Sequence, residues 1–181
     1  MRKLTTEELG RLSPDEFSQL AKTPLVLVLD NVRSALNVGS AFRTADAFAL
    51  GKIYLCGITA APPHREILKT ALGATETVPW EYFPSTLDAL ARLKGEGYEI
   101  LAIEQAAGSI FLHNFEISSK AKYALVFGNE VEGVGQEVME MVDRTLEIQQ
   151  FGTKHSINVA VSIGIVVWDL FKKLKFGLVD E

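Results

Sequence analysis

Of the 181 residues only one, Cys56, carries a thiol, so no internal disulfide can staple the fold. Long apolar runs are missing too. Charged residues interrupt every hydrophobic stretch well before the roughly 18 residues that a membrane-spanning helix needs. The start, Met1-Arg2-Lys3-Leu4-Thr5-Thr6, has no apolar stretch behind its basic pair, unlike a secretory leader. A lone cysteine and no leader make a cytoplasmic protein the expectation. Cys56 lies within Ile53-Tyr54-Leu55-Cys56-Gly57-Ile58, where it reads as a small buried strand residue rather than a nucleophile.

An excess of positive charge is also lacking. The formal net charge of −5 argues mildly against a polyanionic partner, unless a local basic face exists. Lys120 with Lys122, and Lys172, Lys173 and Lys175, are candidates for such a face, and each reads equally well as solvated surface. The three histidines, His64, His113 and His155, are isolated, and none has a partner at metal-ligand spacing, so no metal is expected. There is no Gly-x-Gly-x-x-Gly, no Gly-Lys-Ser/Thr and no Gly-x-Ser-x-Gly. Those absences remove dinucleotide-dependent dehydrogenases, phosphate-loop enzymes and serine hydrolases as leading readings.

What is present is a regular alternation of strand and helix signals. Leu25-Val26-Leu27-Val28-Leu29 and Tyr123-Ala124-Leu125-Val126-Phe127 are unbroken apolar runs, as in strands buried on both faces. Further strands are expected at residues 52–56, 76–80, 99–103 and 145–149. Helices are expected over residues 5–21, 38–49, 65–72, 85–93, 134–142 and 156–173; within the first stretch Thr5 or Thr6 would cap the first turn, and Ser13-Pro14-Asp15-Glu16 reads as a second helix start with proline at the first helical position. Ile157, Val161, Ile165 and Trp168 form one stripe on the last helix, which suits a core face or a dimer face. With 48% hydrophobic residues and no linker-like stretch, one α/β domain over 1–181 is expected, a parallel sheet flanked by helices. Residues 1–22 would be a short helical extension and 24–173 the core.

Ligands of open parallel sheets bind at the carboxyl ends of strands. Three segments there are rich in glycine and small polar residues: 30–48, 127–135 and 148–161. Gly128 and Gly152 would let the main chain approach a ligand closely, although glycine is also ordinary turn chemistry.

Taken in order, these segments resemble the three signature motifs of the SpoU/TrmH RNA 2′-O-methyltransferases of the SPOUT superfamily. Asn37-Val38-Gly39-Ser40-Ala41-Phe42-Arg43-Thr44-Ala45 is similar to the first. Phe127-Gly128-Asn129-Glu130 with Gly133-Val134 is similar to the second, and Ser156-Ile157-Asn158-Val159-Ala160-Val161 to the third. One departure is Ile148-Gln149-Gln150, where the family usually has Ile-Pro-Met. It bears on the substrate subgroup more than on the cofactor.

The resemblance implies S-adenosylmethionine as cofactor, an RNA substrate, a C-terminal trefoil knot and a homodimer whose active site draws on both subunits. The stretch before residue 24 is short beside the extra RNA-binding domain of larger members, which favours tRNA over rRNA. The segment 152–168 resembles members acting on a D-loop guanosine. Gly128, Ile148, Gln150, Ser156, Ile157 and Asn158 are the implied cofactor cradle.

Arg43 is the implied catalytic residue, either activating the 2′-hydroxyl or, since guanidinium does not ordinarily lose its proton, binding phosphate and stabilising the developing alkoxide. A structural ion pair is its plain alternative. Asn37 fits two roles, a hydrogen bond to ribose or Arg43, and a helix cap. Glu130 fits an orienting carboxylate, a partner for Arg43, or an ordinary loop carboxylate. Ser156 and Asn158 stand at the head of the last helix, where capping and catalysis compete.

Overall fold

The computed structural model describes residues 1–5 and 7–177, so Thr6, one of the expected caps, lies outside the described residues, as do 178–181. Seven strands form one sheet: β1 (Thr23–Asp30), β2 (Leu50–Cys56), β3 (Trp80–Phe83), β4 (Tyr98–Ile103), β5 (Ile110–Phe111), β6 (Lys122–Phe127) and β7 (Arg144–Glu147). Their order is β3-β2-β1-β6-β4-β7-β5 and all six pairings are parallel.

The continuous apolar runs follow from this layering. In β1, Leu25, Leu27 and Leu29 enter one core while Val26 and Val28 enter the other; in β6, Tyr123, Leu125 and Phe127 oppose Ala124 and Val126 in the same way. A strand covered on both faces cannot alternate apolar with polar. The first core is closed by α2 (Ala35–Ala47), α3 (Arg65–Ala71) and α7 (Val159–Phe176). The second is closed by α5 (Thr86–Gly95) and α6 (Gln136–Met139).

Several expected elements move. Of the two helix starts expected within 5–21, the second is found, with Ser13 as the N-cap of α1 (Pro14–Gln19) and Pro14 in its first turn, while the first is only a 3-10 turn, Glu7–Leu9. Gly10, at φ 55°, separates them, and only Phe17 is buried in either, so no apolar face holds a longer helix. Thr5 caps the 3-10 turn by accepting from the Glu8 N–H, and Ser13 with Glu16 forms a capping box.

The strand expected at 76–80 starts instead at Trp80. Residues Ala74–Thr77 form the helical turn α4, and Pro79 has no N–H to donate to a ladder. The helix expected over 134–142 shrinks to α6, and β7 lies one to two residues earlier than expected. The two-residue β5 carries no strand signal in sequence. The last helix begins at Val159, with Asn158 as its N-cap, rather than at Ser156.

Its expected stripe faces outward. Val161, Ile165 and Trp168 are 52%, 38% and 49% exposed, while Val159, Ile163, Val166, Val167 and Leu170 pack inward. An apolar helix surface on both sides means this helix has a second face to cover. No helix among the described residues is long and apolar enough to cross a membrane.

Candidate functional site

The loops leaving the carboxyl ends of β1, β4, β6 and β7 converge on one side of the sheet. They are tied together by backbone-directed side chains. Asp30, buried at the end of β1, accepts from Thr86 Oγ1 at 2.6 Å, Asn31 Nδ2 at 2.8 Å and the Gly135 N–H at 3.1 Å. Asn129 Nδ2 donates to the Asn31 carbonyl at 2.9 Å, so the loop after β6 is fastened to the loop after β1. At Gly128 the loop after β6 folds back closely on itself. A Cβ there would fall well inside van der Waals contact with Gly133 and Val134 main-chain atoms. No such crowding surrounds Gly152, which has open space on its Cβ side, so the close approach expected there is not found.

Glu130 is fixed by three donors: the Arg33 N–H at 2.9 Å, the Ser34 N–H at 3.1 Å and Asn37 Nδ2 at 3.0 Å. Desolvation pushes its carboxyl up, but the hydrogen bonds from Arg33, Asn37 and Ser34 outweigh that and hold it below the usual carboxylate range. Because Asn37 must point its amide nitrogen at the carboxylate, its Oδ1 is left to accept, and it does so from Asn158 Nδ2 at 3.3 Å. Asn158 Oδ1 in turn accepts from the Ala160 and Val161 N–H groups at 2.9 and 3.4 Å. One chain of hydrogen bonds therefore runs from the β6 loop through α2 to the first turn of α7. Each amide orientation in it is set by its neighbour.

The helix-cap alternative for Asn37 fails, since Ser34 is the N-cap of α2 and Asn37 lies inside the helix. For Asn158 the cap is real and coexists with the bond to Asn37.

Beside this chain lies a cavity of about 650 Å³. Gly128, Glu130, Ile148, Gln150, Ser156, Ile157 and Asn158, all singled out in the sequence, line it. Glu104, at the end of β4, lines it as well and was missed. It accepts from the Gln105 N–H at 2.8 Å and the Val134 N–H at 3.0 Å. A carboxylate directly after a buried strand was the available signal. Ser156 makes no side-chain hydrogen bond among the described residues, so its hydroxyl is open to a ligand.

Arg43 is not in this cavity. Six residues at about 100° each place it roughly 120° around α2 from Asn37. It stands exposed beside a separate shallow depression with Ser40, Thr44 and Lys69. The pairing of Glu130 with Arg43 considered from sequence is not made: Arg43 lies on another side of α2, and the donors to Glu130 are residues 33, 34 and 37. Nor is Arg43 in a structural ion pair: among the described residues it has no charged or hydrogen-bonded partner. A second groove of about 650 Å³, lined by Leu112, Phe151, Ile165 and Trp168 among others, opens along the outward face of α7, where Phe151 is 90% exposed. Among the described residues no three metal-ligating side chains gather.

Comparison with known proteins adds four findings. Residues 24–168 match the SpoU rRNA Methylase family. The chain is 33% identical over 153 residues to the 23S rRNA (guanosine-2′-O-)-methyltransferase RlmB of Neisseria meningitidis, covering 84% of this chain and 60% of that one. It is 27% identical over 177 residues to the tRNA (guanosine(18)-2′-O)-methyltransferase of Borreliella burgdorferi, covering 98% and 78%. The crystal structure of an AdoMet-bound rRNA methyltransferase from Sinorhizobium meliloti superposes with a TM-score of 0.76 at 28% identity, covering 90% and 61%. The chain thus spans about six tenths of the length of the Neisseria and Sinorhizobium proteins.

Proposed function

This chain belongs to the SpoU rRNA Methylase family, and from that premise we propose that it transfers a methyl group from S-adenosylmethionine to a ribose 2′-hydroxyl of RNA. The carrying observation is the hydrogen-bond chain Glu130–Asn37–Asn158, which locks all three motif segments around one cavity. The cavity is of the size that holds a cofactor. Ile103, Ile148 and Ile157 offer apolar walls for an adenine ring, and Glu104 and Glu130 offer negative charge for a cationic cofactor, so the residues fit that ligand. When bound, S-adenosylmethionine would supply an electrophilic methyl group on its sulfonium.

The chain's own residues do the rest by placement. Gly128, Ile148, Gln150 and Ile157 form the cradle, largely through main-chain groups. Ser156 and Asn158 face the ribose end. Guanidinium is a donor and not ordinarily a proton acceptor, so Arg43 binds the phosphate beside the reacting ribose and stabilises charge developing on the 2′-oxygen. Its position outside the cavity of its own subunit goes with a homodimer in which it completes the partner's site. The outward face of α7 and the groove beside it are the dimer surface on this reading. A C-terminal trefoil knot belongs to the same reading. The insertion of β7 between β4 and β5, and the bond from Gln105 Nε2 to the His155 carbonyl at 2.8 Å, support a last segment that passes under the loop after β4.

Transfer RNA is the favoured substrate, at a D-loop guanosine, in the cytoplasm. The tRNA-acting Borreliella relative is matched over more of its length than the rRNA-acting Neisseria one. The higher identity to the Neisseria protein favours rRNA as the second reading. Arg43→Ala tests the mechanism: it abolishes methyl transfer while the melting shift given by S-adenosylhomocysteine is kept. Full transfer by that variant contradicts the role given to Arg43.

A further inference from the structure

A protein of net charge −5 must meet a polyanion through a local surface. The ion pairs among the described residues lie away from α2 and α3: Arg2 with Glu8, Lys52 and Arg92 with Glu81, Arg92 with Glu96, Lys94 with Asp143, Arg144 with Glu99, and Lys172 and Lys173 with Asp169. The basic faces considered from sequence are largely spoken for: Lys122 donates to the Glu96 carbonyl, and Lys173 to the Leu112 and Phe115 carbonyls besides pairing with Asp169.

The two helices are brought together by Gly39. A Cβ there would collide with Thr70 Oγ1 and the Ile67 carbonyl, and it would stand 3.1 Å from the Ala71 nitrogen. Thr70 Oγ1 donates to the Leu36 carbonyl at 3.0 Å across the same contact. Arg43 follows Gly39 by one turn, so it emerges from α2 on the side of α3. There it shares a depression of about 480 Å³ with Lys69. Arg65 is exposed one turn before Lys69, about 6 Å along the axis.

Two carboxylates sit on these helices. Asp46 accepts from Thr77 Oγ1 at 2.6 Å, and Glu66 lies about 100° around α3 from Arg65. Neither forms an ion pair with the three cations.

The geometry points to a phosphate-binding strip formed by Arg43, Arg65 and Lys69. In it α3 carries the backbone phosphates flanking the nucleotide that Arg43 addresses. This rests on the RNA methyltransferase reading above. The i, i+4 spacing of Arg65 and Lys69 puts both cations on one side of the helix, where successive phosphates of one strand can reach them.

The test is the salt dependence of RNA binding, measured by fluorescence anisotropy with an unmodified tRNA transcript and an rRNA fragment between 50 and 200 mM salt (approximate range over which counterion release is read). Removing two phosphate contacts with Arg65→Ala plus Lys69→Ala flattens the slope of log K against log salt by about 1.4–1.8, and weakens binding at about 0.1 M salt by roughly 25- to 60-fold. Exchanging the two cations, Arg65→Lys plus Lys69→Arg, restores the slope. A variant with the same loss of net charge, Lys120→Ala plus Lys175→Ala, keeps it.

An unchanged slope in the α3 variant, with the unsubstituted protein binding RNA and transferring methyl groups, overturns the strip and leaves the methyltransferase reading standing. An equal flattening in the Lys120/Lys175 variant also overturns it, since net charge alone would then explain the effect. If the unsubstituted protein binds neither RNA, both readings fall together.

Discussion

Gly128→Ala should damage both the fold and the proposed cofactor cradle, and its cost can be worked from the contacts. Gly128 does not adopt a positive φ, so alanine meets no backbone penalty and the effect isolates packing. The new methyl would sit more than an ångström inside the 3.4 Å at which ordinary contact begins, and every atom it meets belongs to the backbone of Gly133 or Val134. A flexible side chain can step aside, but this segment cannot. Asn129 and Gly133 exchange two backbone hydrogen bonds at 2.9 Å, and the loop must give these up to open.

Overpacking of this kind costs about 1–3 kcal/mol and two lost hydrogen bonds about 1 kcal/mol each, which gives roughly 3–5 kcal/mol. For a chain of this length that lowers the melting temperature by about 6–20 °C. Since Gly128 also lines the cavity, the stabilisation given by S-adenosylhomocysteine should fall with it. Thermal melts with and without that ligand read both effects. A variant that melts like the unsubstituted protein and keeps the full ligand shift would refute the packing argument.

Glu130→Gln puts an amide NH2 among N–H donors, and at this exposed position costs about 1–2 kcal/mol by thermal melt. Because the folded-state pKa of Glu130 is lowered, its contribution is present above the ordinary carboxylate pKa of about 4.3 and is lost as pH falls through its own lower value. The stability difference from Glu130→Gln should therefore be constant near neutrality and shrink in acid; a difference that grows below about pH 4 would contradict this. Val161→Glu with Ile165→Glu places charge on the outward face of α7 and should convert a dimer to a monomer in sedimentation velocity, with loss of transfer. An unsubstituted protein already monomeric at micromolar concentration would remove the two-subunit site. Burial pushes the Cys56 thiol up to about 12, so an aromatic disulfide reagent near pH 8 should label it only after unfolding. Fast labelling of the native protein would show that the strand around it opens.

The sheet was legible where a strand is buried on both faces, because there the sequence is apolar at every position, as in residues 25–29 of β1, 53–56 of β2 and 123–127 of β6. It was illegible where pairing is brief or displaced. Two residues of β5 leave no periodicity, and β3 begins only after Pro79, which no hydrophobic count registers. The site loops stood out by their glycines and small polar residues, and the cofactor positions singled out in 128–158 line one cavity, whereas Gly152 does not. The bonds that join them span 93 and 121 residues of sequence, and no local pattern records them. Glu104 was missed because its neighbours read as strand. Asn37 was read as a possible partner of Arg43, although six residues of helix turn the two apart, and the stripe on α7 read equally as a core face or a dimer face until the inward face at Val159, Ile163 and Val166 was visible.

The central claim is ribose methylation of RNA, and radiolabelled methyl transfer from S-adenosylmethionine tests it most directly. Unmodified tRNA transcripts and rRNA serve as acceptors, and the labelled nucleotide is mapped. Label on the ribose of a D-loop guanosine in tRNA is the predicted result. Label confined to rRNA keeps the chemistry and overturns the substrate. No label on either RNA, with no melting shift from S-adenosylhomocysteine, contradicts the account and leaves an inert RNA-binding protein in its place.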